Sequence, residues 1–266
     1  NFAPDVITYG MLLNGLSKIG DAENVEKYHN LMQNEDGIAP NAHTFSMVLT
    51  TFAHKEDVAT CEMWLEKMKR EGVAPTVRHY NSILHAHSRL GKPQGVLDCM
   101  DMMKNSNVDA NIVSWNCLLD AYSRGNDAAS AIKVLDEIPC ELDIFSYHAV
   151  LRAIGRDQKS DVDLCGDYFD KMADAGITPT VMTINIVVDA YARRGLPEMA
   201  EKMLEYCDLV NIKPNAVTYN TIITSYEEAC NAQKVAELQD AMRRRGIEGD
   251  NSVARALLKS AIQDKF

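Results

Sequence analysis

Apolar side chains recur along this 266-residue chain at i, i+3, i+4 and i+7, and the whole set returns about every 35 residues. Instances are Phe45, Val48, Leu49, Phe52; Trp115, Leu118, Leu119, Tyr122; and Ile184, Val187, Val188, Tyr191. This spacing lines one face of an α-helix. Seven copies open on Tyr9, Phe45, Tyr80, Trp115, Tyr147, Ile184 and Tyr219, at spacings of 36, 35, 35, 32, 37 and 35. Only His87 departs from the pattern, in the last place of the third copy. Six residues after the opening residue the side chain is always small (Gly15, Thr51, Ala86, Ala121, Ala153, Ala190, Ser225), which permits close helix approach. Gly20, Gly91, Gly125 and Gly195 mark the ends of these first helices. A second helix follows in each copy and stops at a Gly-x-x-Pro ending, as at Gly72 to Pro75 and Gly176 to Pro179, because proline cannot continue a helix.

A helix pair repeated at this period predicts a solenoid, in which each unit stacks on its neighbours. Repeats are expected at 6–41, 42–76, 77–111, 112–143, 144–180, 181–215 and 216–250. Residues 1–5 have the form of the end of a preceding repeat. Residues 251–266 read as a capping helix with Val253, Leu257 and Leu258 inward. The 32- and 37-residue spacings differ from 35 by −3 and +2, and the changes are expected in loops near Pro139 and Asp157.

Composition changes this picture little. The net charge of −11 argues weakly against a phosphate-bearing partner, although position matters more than the sum. The seven cysteines are dispersed, with no CxxC, which points to reduced thiols. No apolar run is long enough to span a membrane. His85-x-His87 places its rings on different helix faces and makes no metal pair. No acidic cluster suggests a nuclease, so no catalytic residue, metal, cofactor or small-molecule substrate is expected.

The charges are not scattered. Counting each repeat from three residues before its opening residue, position 13 holds Lys18, His54, Arg89, Arg124, Arg156, Arg193 and Glu228. Five of seven are Lys or Arg, which stacking would set in a ladder suited to a phosphate backbone. The acids concentrate in the second helices: Glu62, Glu66, Asp98, Asp101, Asp136, Glu137, Asp167, Asp170, Glu201 and Glu205. A local reading stands beside this, in which each cation complements the dipole at its helix C-terminus. Position 5 holds Gly10, Ser46, Asn81, Asn116, His148, Asn185 and Asn220, and the last position holds Asn41, Thr76, Asn111, Asp143, Thr180, Asn215 and Asp250. The last position also suits a helix N-cap. Asn inside a first turn, four times in seven, is not explained by helix propensity.

The segments VTYNTIITSY at 217–226 and VSWNCLLDAYSRG at 113–125, with the Gly-x-x-Pro endings, resemble the pentatricopeptide repeat family over residues 1–250. The resemblance implies an all-α fold of about fifteen helices in a right-handed superhelical solenoid of about seven helix-turn-helix repeats, first helices concave. It implies binding of single-stranded RNA, one base per repeat, read by position 5 together with the last position. Asn116 with Asp143 and Asn220 with Asp250 are then uracil readers, and Asn81 with Asn111 and Asn185 with Asn215 less discriminating pyrimidine readers. The other three repeats have no assigned base, and the site reads ?-?-Y-U-?-Y-U from 5′ to 3′. Position 2 packs on base faces in the family; here Val113, Phe145, Met182 and Val217 conform, whereas His43 and Arg78 do not. Lys18, Arg89, Arg124, Arg156 and Arg193 are the expected phosphate contacts. The family implies a mitochondrion or chloroplast and a role in RNA stability, processing, editing or translation. A second reading is a scaffold subunit of an organellar ribonucleoprotein or other protein complex, which fits the acidity and the unassigned pairs.

Overall fold

The computed structural model describes residues 4–34 and 37–247, and among them all regular structure is helical. The first unit contains α1 (Val6–Ile19), α2 (Ala22–Asn34), α3 (Ala42–His54), α4 (Val58–Arg70), α5 (Val77–Arg89), α6 (Pro93–Asn105), α7 (Ile112–Arg124) and α8 (Ala128–Glu137). The second contains α9 (Ile144–Arg156), α10 (Leu164–Asp174), α11 (Val181–Arg193), α12 (Pro197–Leu209), α13 (Ala216–Glu228) and α14 (Ala232–Arg244). Where the sequence predicts one array, contacts divide the chain into two compact units, one ending at Leu142 and the other starting at Asp143. The expected capping helix at 251–266 lies outside the described residues.

Each first helix starts where the sequence offers a cap. Asp5, Asn41, Asn111, Asp143 and Asn215 accept the backbone N–H of Thr8, Thr44, Ser114, Ser146 and Thr218, three residues on, at 2.8 to 3.2 Å. The side chain of that third residue accepts the cap's own N–H in return, forming a reciprocal capping box. Most first helices end in a left-handed residue, and glycine is used there as expected at Gly20, Gly91 and Gly195, at φ 74°, 62° and 66°. Gly125 is not such a case. Its φ is −77°, and the left-handed place is taken by Asn126 at φ 56°.

Within each unit successive first helices pack on one another, α1 on α3, α3 on α5 and α5 on α7, then α9 on α11 and α11 on α13. Each second helix packs on the first helices beside it. The periodic residues form the core: Phe45, Tyr80, Leu118, Ile184 and Tyr219 are all 1% exposed or less. Burying one such side chain contributes roughly 1.5–3 kcal/mol. At Gly155 the α9–α11 contact is close to backbone-on-backbone, since a Cβ there would lie 2.6 Å from the Ala190 Cβ.

The two irregular spacings differ in how they are absorbed. In the fourth repeat the deletion falls in the helix, not the loop: α8 has 10 residues where α4 and α6 have 13. In the fifth the connection between α9 and α10 runs over 157–163 and α10 shortens to 11 residues. Arg194 holds that long connection. Its guanidinium donates to the carbonyls of Gln158 at 3.3 Å, Ile154 at 3.3 Å and Ser160 at 2.8 Å, and to that of Asp157.

Candidate nucleic-acid interface

Position 5 projects from the first turns of the first helices, and position 13 closes their last turns. Capping fixes the register of both, because each box sets where a helix begins. In the first unit Asn81, on α5, donates from Nδ2 to Oδ1 of Asn111 at 3.2 Å. In the second unit Asn185, on α11, donates in the same way to Asn215 at 3.4 Å. The two positions expected to share one base are therefore neighbours in both repeats.

A third member joins each pair. Ser114 Oγ donates to Asn81 Oδ1 at 2.7 Å, and Thr218 Oγ1 donates to Asn185 Oδ1 at 2.6 Å. The same triangle appears elsewhere with other chemistry. Ser46 Oγ and Thr76 Oγ1 lie 3.0 and 2.9 Å from the two ring nitrogens of His79, and His148 Nε2 lies 2.8 Å from Thr183 Oγ1. Position 5 thus also works structurally, tying each of these first helices to the N-terminal turn of the next. The abundance of Asn there has this second cause, which propensity alone does not reveal. The third position holds Thr, Ser or His in all seven repeats, a signal present in the sequence itself.

Asn116 is half-buried on α7 in the first unit, and Asp143 caps α9 in the second. Asn220 is half-buried on α13. Its expected partner Asp250 lies outside the described residues. Beside these residues stand the position-2 side chains. Ile7, Val113, Phe145, Met182 and Val217 are apolar yet 38% to 66% exposed. Large exposed apolar side chains at one register of a first helix have no packing explanation, and they suit stacking against flat faces.

All five basic position-13 residues are exposed in the last turn of their first helices. Three of them hold carboxylates: Arg124 Nε to Asp120 at 2.8 Å, Arg193 Nε to Asp189 at 2.7 Å and Arg89 Nε to Glu56 at 3.2 Å. Such exposed pairs are worth about 0–1 kcal/mol and exchange readily for another anion. The acids named above on the second helices are exposed except Glu201, which accepts from Tyr226 at 2.5 Å and from Lys234 at 2.9 Å.

Two clefts open between first helices of the second unit. The one between α9 and α11, about 200 Å³, gathers Arg152, Arg156, Met182, Asn185 and Asp189. The one between α11 and α13, about 370 Å³, gathers Asp189, Arg193, Asn220 and Glu228. Residues singled out separately as stacking, base-reading and phosphate-binding thus line common clefts. Asp189, Arg152 and Glu228 complete them.

The remaining reactive groups are quiet. Burial pushes the thiols of Cys61, Cys99, Cys117 and Cys165 up to about 12, so they stay protonated. Burial, with the Arg152 charge second, pushes the His148 imidazole down to about 4. Among the described residues no group of three or more His, Cys, Asp or Glu could hold a metal ion, and no helix is long and apolar enough to cross a membrane.

Known proteins carry the same repeat. The family model of the pentatricopeptide repeat domain matches residues 36–90, 64–127 and 133–194, that of the PPR repeat family residues 4–54 and 179–226, and that of the PPR repeat residues 217–247. A pentatricopeptide repeat-containing protein of Arabidopsis thaliana is 21% identical over 238 residues, covering 90% of this chain and 34% of that protein. The small ribosomal subunit protein mL103 (rPPR7) of the same plant is 20% identical over 192 residues, covering 70% and 46%. The crystal structure of PPR10 from maize matches with a TM-score of 0.63 at 21% identity, over 92% of this chain and 39% of that one. PPR10 in complex with an 18-nt psaJ RNA element matches with a TM-score of 0.60 at 18% identity, over 94% and 42%. These likenesses establish the fold, and the chain spans less than half the length of each of these relatives. With its period, its capped helix pairs and its matches to all three repeat models, the chain belongs to the pentatricopeptide repeat family.

Proposed function

We propose that this chain binds single-stranded RNA, one base per repeat, along the faces of its first helices. The observation that carries this reading is the shared register of three features: exposed apolar residues at position 2, adjacent amides at position 5 and the last position, and cations at position 13. Stacking, edge recognition and phosphate neutralisation are the three contacts a single strand offers. PPR10 supports the reading, having been crystallised with an RNA element. The mechanism is steric and electrostatic. A held strand is shielded from nucleases and cannot fold on itself. The place of action would be a mitochondrion or chloroplast, in RNA stability, processing, editing or translation; two relatives are named chloroplastic.

Base choice is tested at one repeat. Changing Asn220 to Thr should move preference at its nucleotide from U towards G, with a wrong base costing about 1–3 kcal/mol on the scale of duplex readers. The adjacent nucleotide, facing Asn185, serves as control. Equal affinity for all bases at both nucleotides, before and after the change, would remove base reading.

A second reading, a scaffold subunit of a ribonucleoprotein, is favoured by one observation. Three of the five cations in the row are already neutralised by Glu56, Asp120 and Asp189. A relative named as a ribosomal subunit protein fits it as well. Salt dependence of RNA binding separates the two, because a scaffold with little base or phosphate contact has none.

A further inference from the structure

Thr218 and Ser114 stand at position 3 of the seventh and fourth repeats and are wholly buried, so neither can touch a bound strand. Each nevertheless fixes the position-5 amide of the repeat before it. Thr218 Oγ1 accepts the N–H of Asn215 at 3.1 Å, so its hydroxyl proton points elsewhere. It can go to Asn185 Oδ1 at 2.6 Å or to Asn215 Oδ1 at 3.1 Å. The shorter contact is the better one, and Asn215 Oδ1 already receives the Thr218 N–H at 3.1 Å and Asn185 Nδ2 at 3.4 Å. The Asn185 amide therefore has one satisfied orientation. Turned over, it would set its oxygen against that of Asn215 and lose the Thr218 hydroxyl. The first unit holds the same arrangement. Ser114 Oγ donates to Asn81 Oδ1 at 2.7 Å, Asn81 Nδ2 donates to Asn111 Oδ1 at 3.2 Å, and the Asn111 N–H donates to Ser114 Oγ at 3.3 Å.

Where position 5 carries another side chain, the same neighbour closes it in. Ser46 is buried, donates to the Ala42 carbonyl at 3.0 Å and lies 3.0 Å from His79 Nε2. His148 is buried with its Nε2 2.8 Å from Thr183 Oγ1. These are two of the three repeats with no assigned base. We propose that the buried hydroxyl at position 3 of the following repeat is a specificity-determining positioning residue: Thr218 for Asn185 and Ser114 for Asn81. The inference rests on the reading that this chain binds RNA one base per repeat. With its oxygen turned to Thr218 and one N–H given to Asn215, the half-buried Asn185 keeps one N–H for a base. That donor suits the O2 carbonyl that uracil and cytosine share. Without the hydroxyl the amide can turn and offers donor or acceptor alike, so the strand is still held and the choice of base is lost.

The test uses the full chain and the seven-nucleotide strand U-U-U-U-U-N-U, with N facing the sixth repeat. The parent should bind N = U or C about tenfold more tightly than N = A or G. In a Thr218→Val chain, which keeps the shape and loses the hydroxyl, that ratio should fall below about threefold, whereas a Thr218→Ser chain should retain it. Thr44→Val is the control for helix capping. Thr44 makes the same box with Asn41, but position 5 before it is Gly10, which has no amide to turn, so the ratio at N should stay. Circular dichroism at the assay temperature establishes that each chain is folded. If the Thr218→Val chain unfolds, Ser114→Ala with N at the third nucleotide carries the same test. A folded Thr218→Val chain with the parent ratio would overturn the positioning role and leave RNA binding and base reading intact. A parent that binds all four bases at N alike would overturn base reading by Asn185 and the positioning role with it. Failure of the strand to bind at all, at low salt, would overturn RNA binding itself.

Discussion

His29 is wholly buried between Phe45 and Trp64, with ring centroids 4.7 and 4.8 Å away, and neither ring nitrogen has a hydrogen-bond partner. Burial, and secondarily the Lys67 charge, push its imidazole from 6.5 down to about 4. The folded state therefore refuses a proton that the unfolded chain accepts. Stability is full above the unfolded value and falls as pH drops from about 6.5 towards 4, by at most ~3 kcal/mol for this group. Melting temperatures measured between pH 7 and pH 4.5 should show the fall, and His29→Phe should reduce it without lowering stability at pH 7. An identical profile in the variant would remove His29 as its source. Gly155 poses a different constraint. Its missing Cβ lets α9 lie against Ala190, so Gly155→Ala forces the helices apart and should cost roughly 1–3 kcal/mol by overpacking, read from urea midpoints. At this scale the sequence is only partly readable. Met182 and Asn185 are identifiable from register. Asp120 and Asp189 likewise stand four places before their arginines, a spacing the sequence shows, whereas Glu56, the partner of Arg89, lies in the connection after α3 and is not legible from register.

The capped first helix is the element on which the interface depends. Its N-cap serves twice, ending a connection and presenting the last residue of one repeat beside position 5. Thr218 links the two roles, since its hydroxyl donates to Asn185 and its backbone N–H to Asn215. Thr218→Val should cost about 1–3 kcal/mol, because it leaves the half-buried Asn185 carbonyl without its donor. A double-mutant cycle with Asn185→Ala measures the link, and strictly additive losses would deny it. Helix existence and order are legible in the sequence, because a 3.6-residue apolar period over thirteen residues has no other solution. The ends are less so. Gly125 reads as a terminator, but Asn126 tolerates the left-handed conformation and takes that place. The three missing residues of the fourth repeat, expected in a loop, come out of α8. A helix turn can be deleted whole, whereas the Ile138-Pro139 junction still has to reach the next cap.

For the whole molecule the net charge of −11 and the proposed RNA partner are compatible because the first helices carry seven Lys or Arg against four acids, whereas in the second helices acids outnumber bases. Exposed acids crowd the second helices, while the basic residues of the register end the first helices. The row is nonetheless weaker than its count suggests, since three of its five cations carry internal carboxylates. Five phosphate contacts would give a slope of log K against log salt near −3.5, at about −0.7 per contact on a single strand. Two contacts, from Lys18 and Arg156, would give about −1.4. The most direct measurement is the affinity of this chain for a uridine-rich single strand across a salt series, repeated with Arg124, Arg156 and Arg193 all changed to Ala. The account predicts a slope between about −1.4 and −3.5, flattened in the variant, with affinity lowered alike for every sequence. A salt-independent affinity, or a slope unmoved by the triple change, would contradict it and leave these arginines only their place at the helix ends.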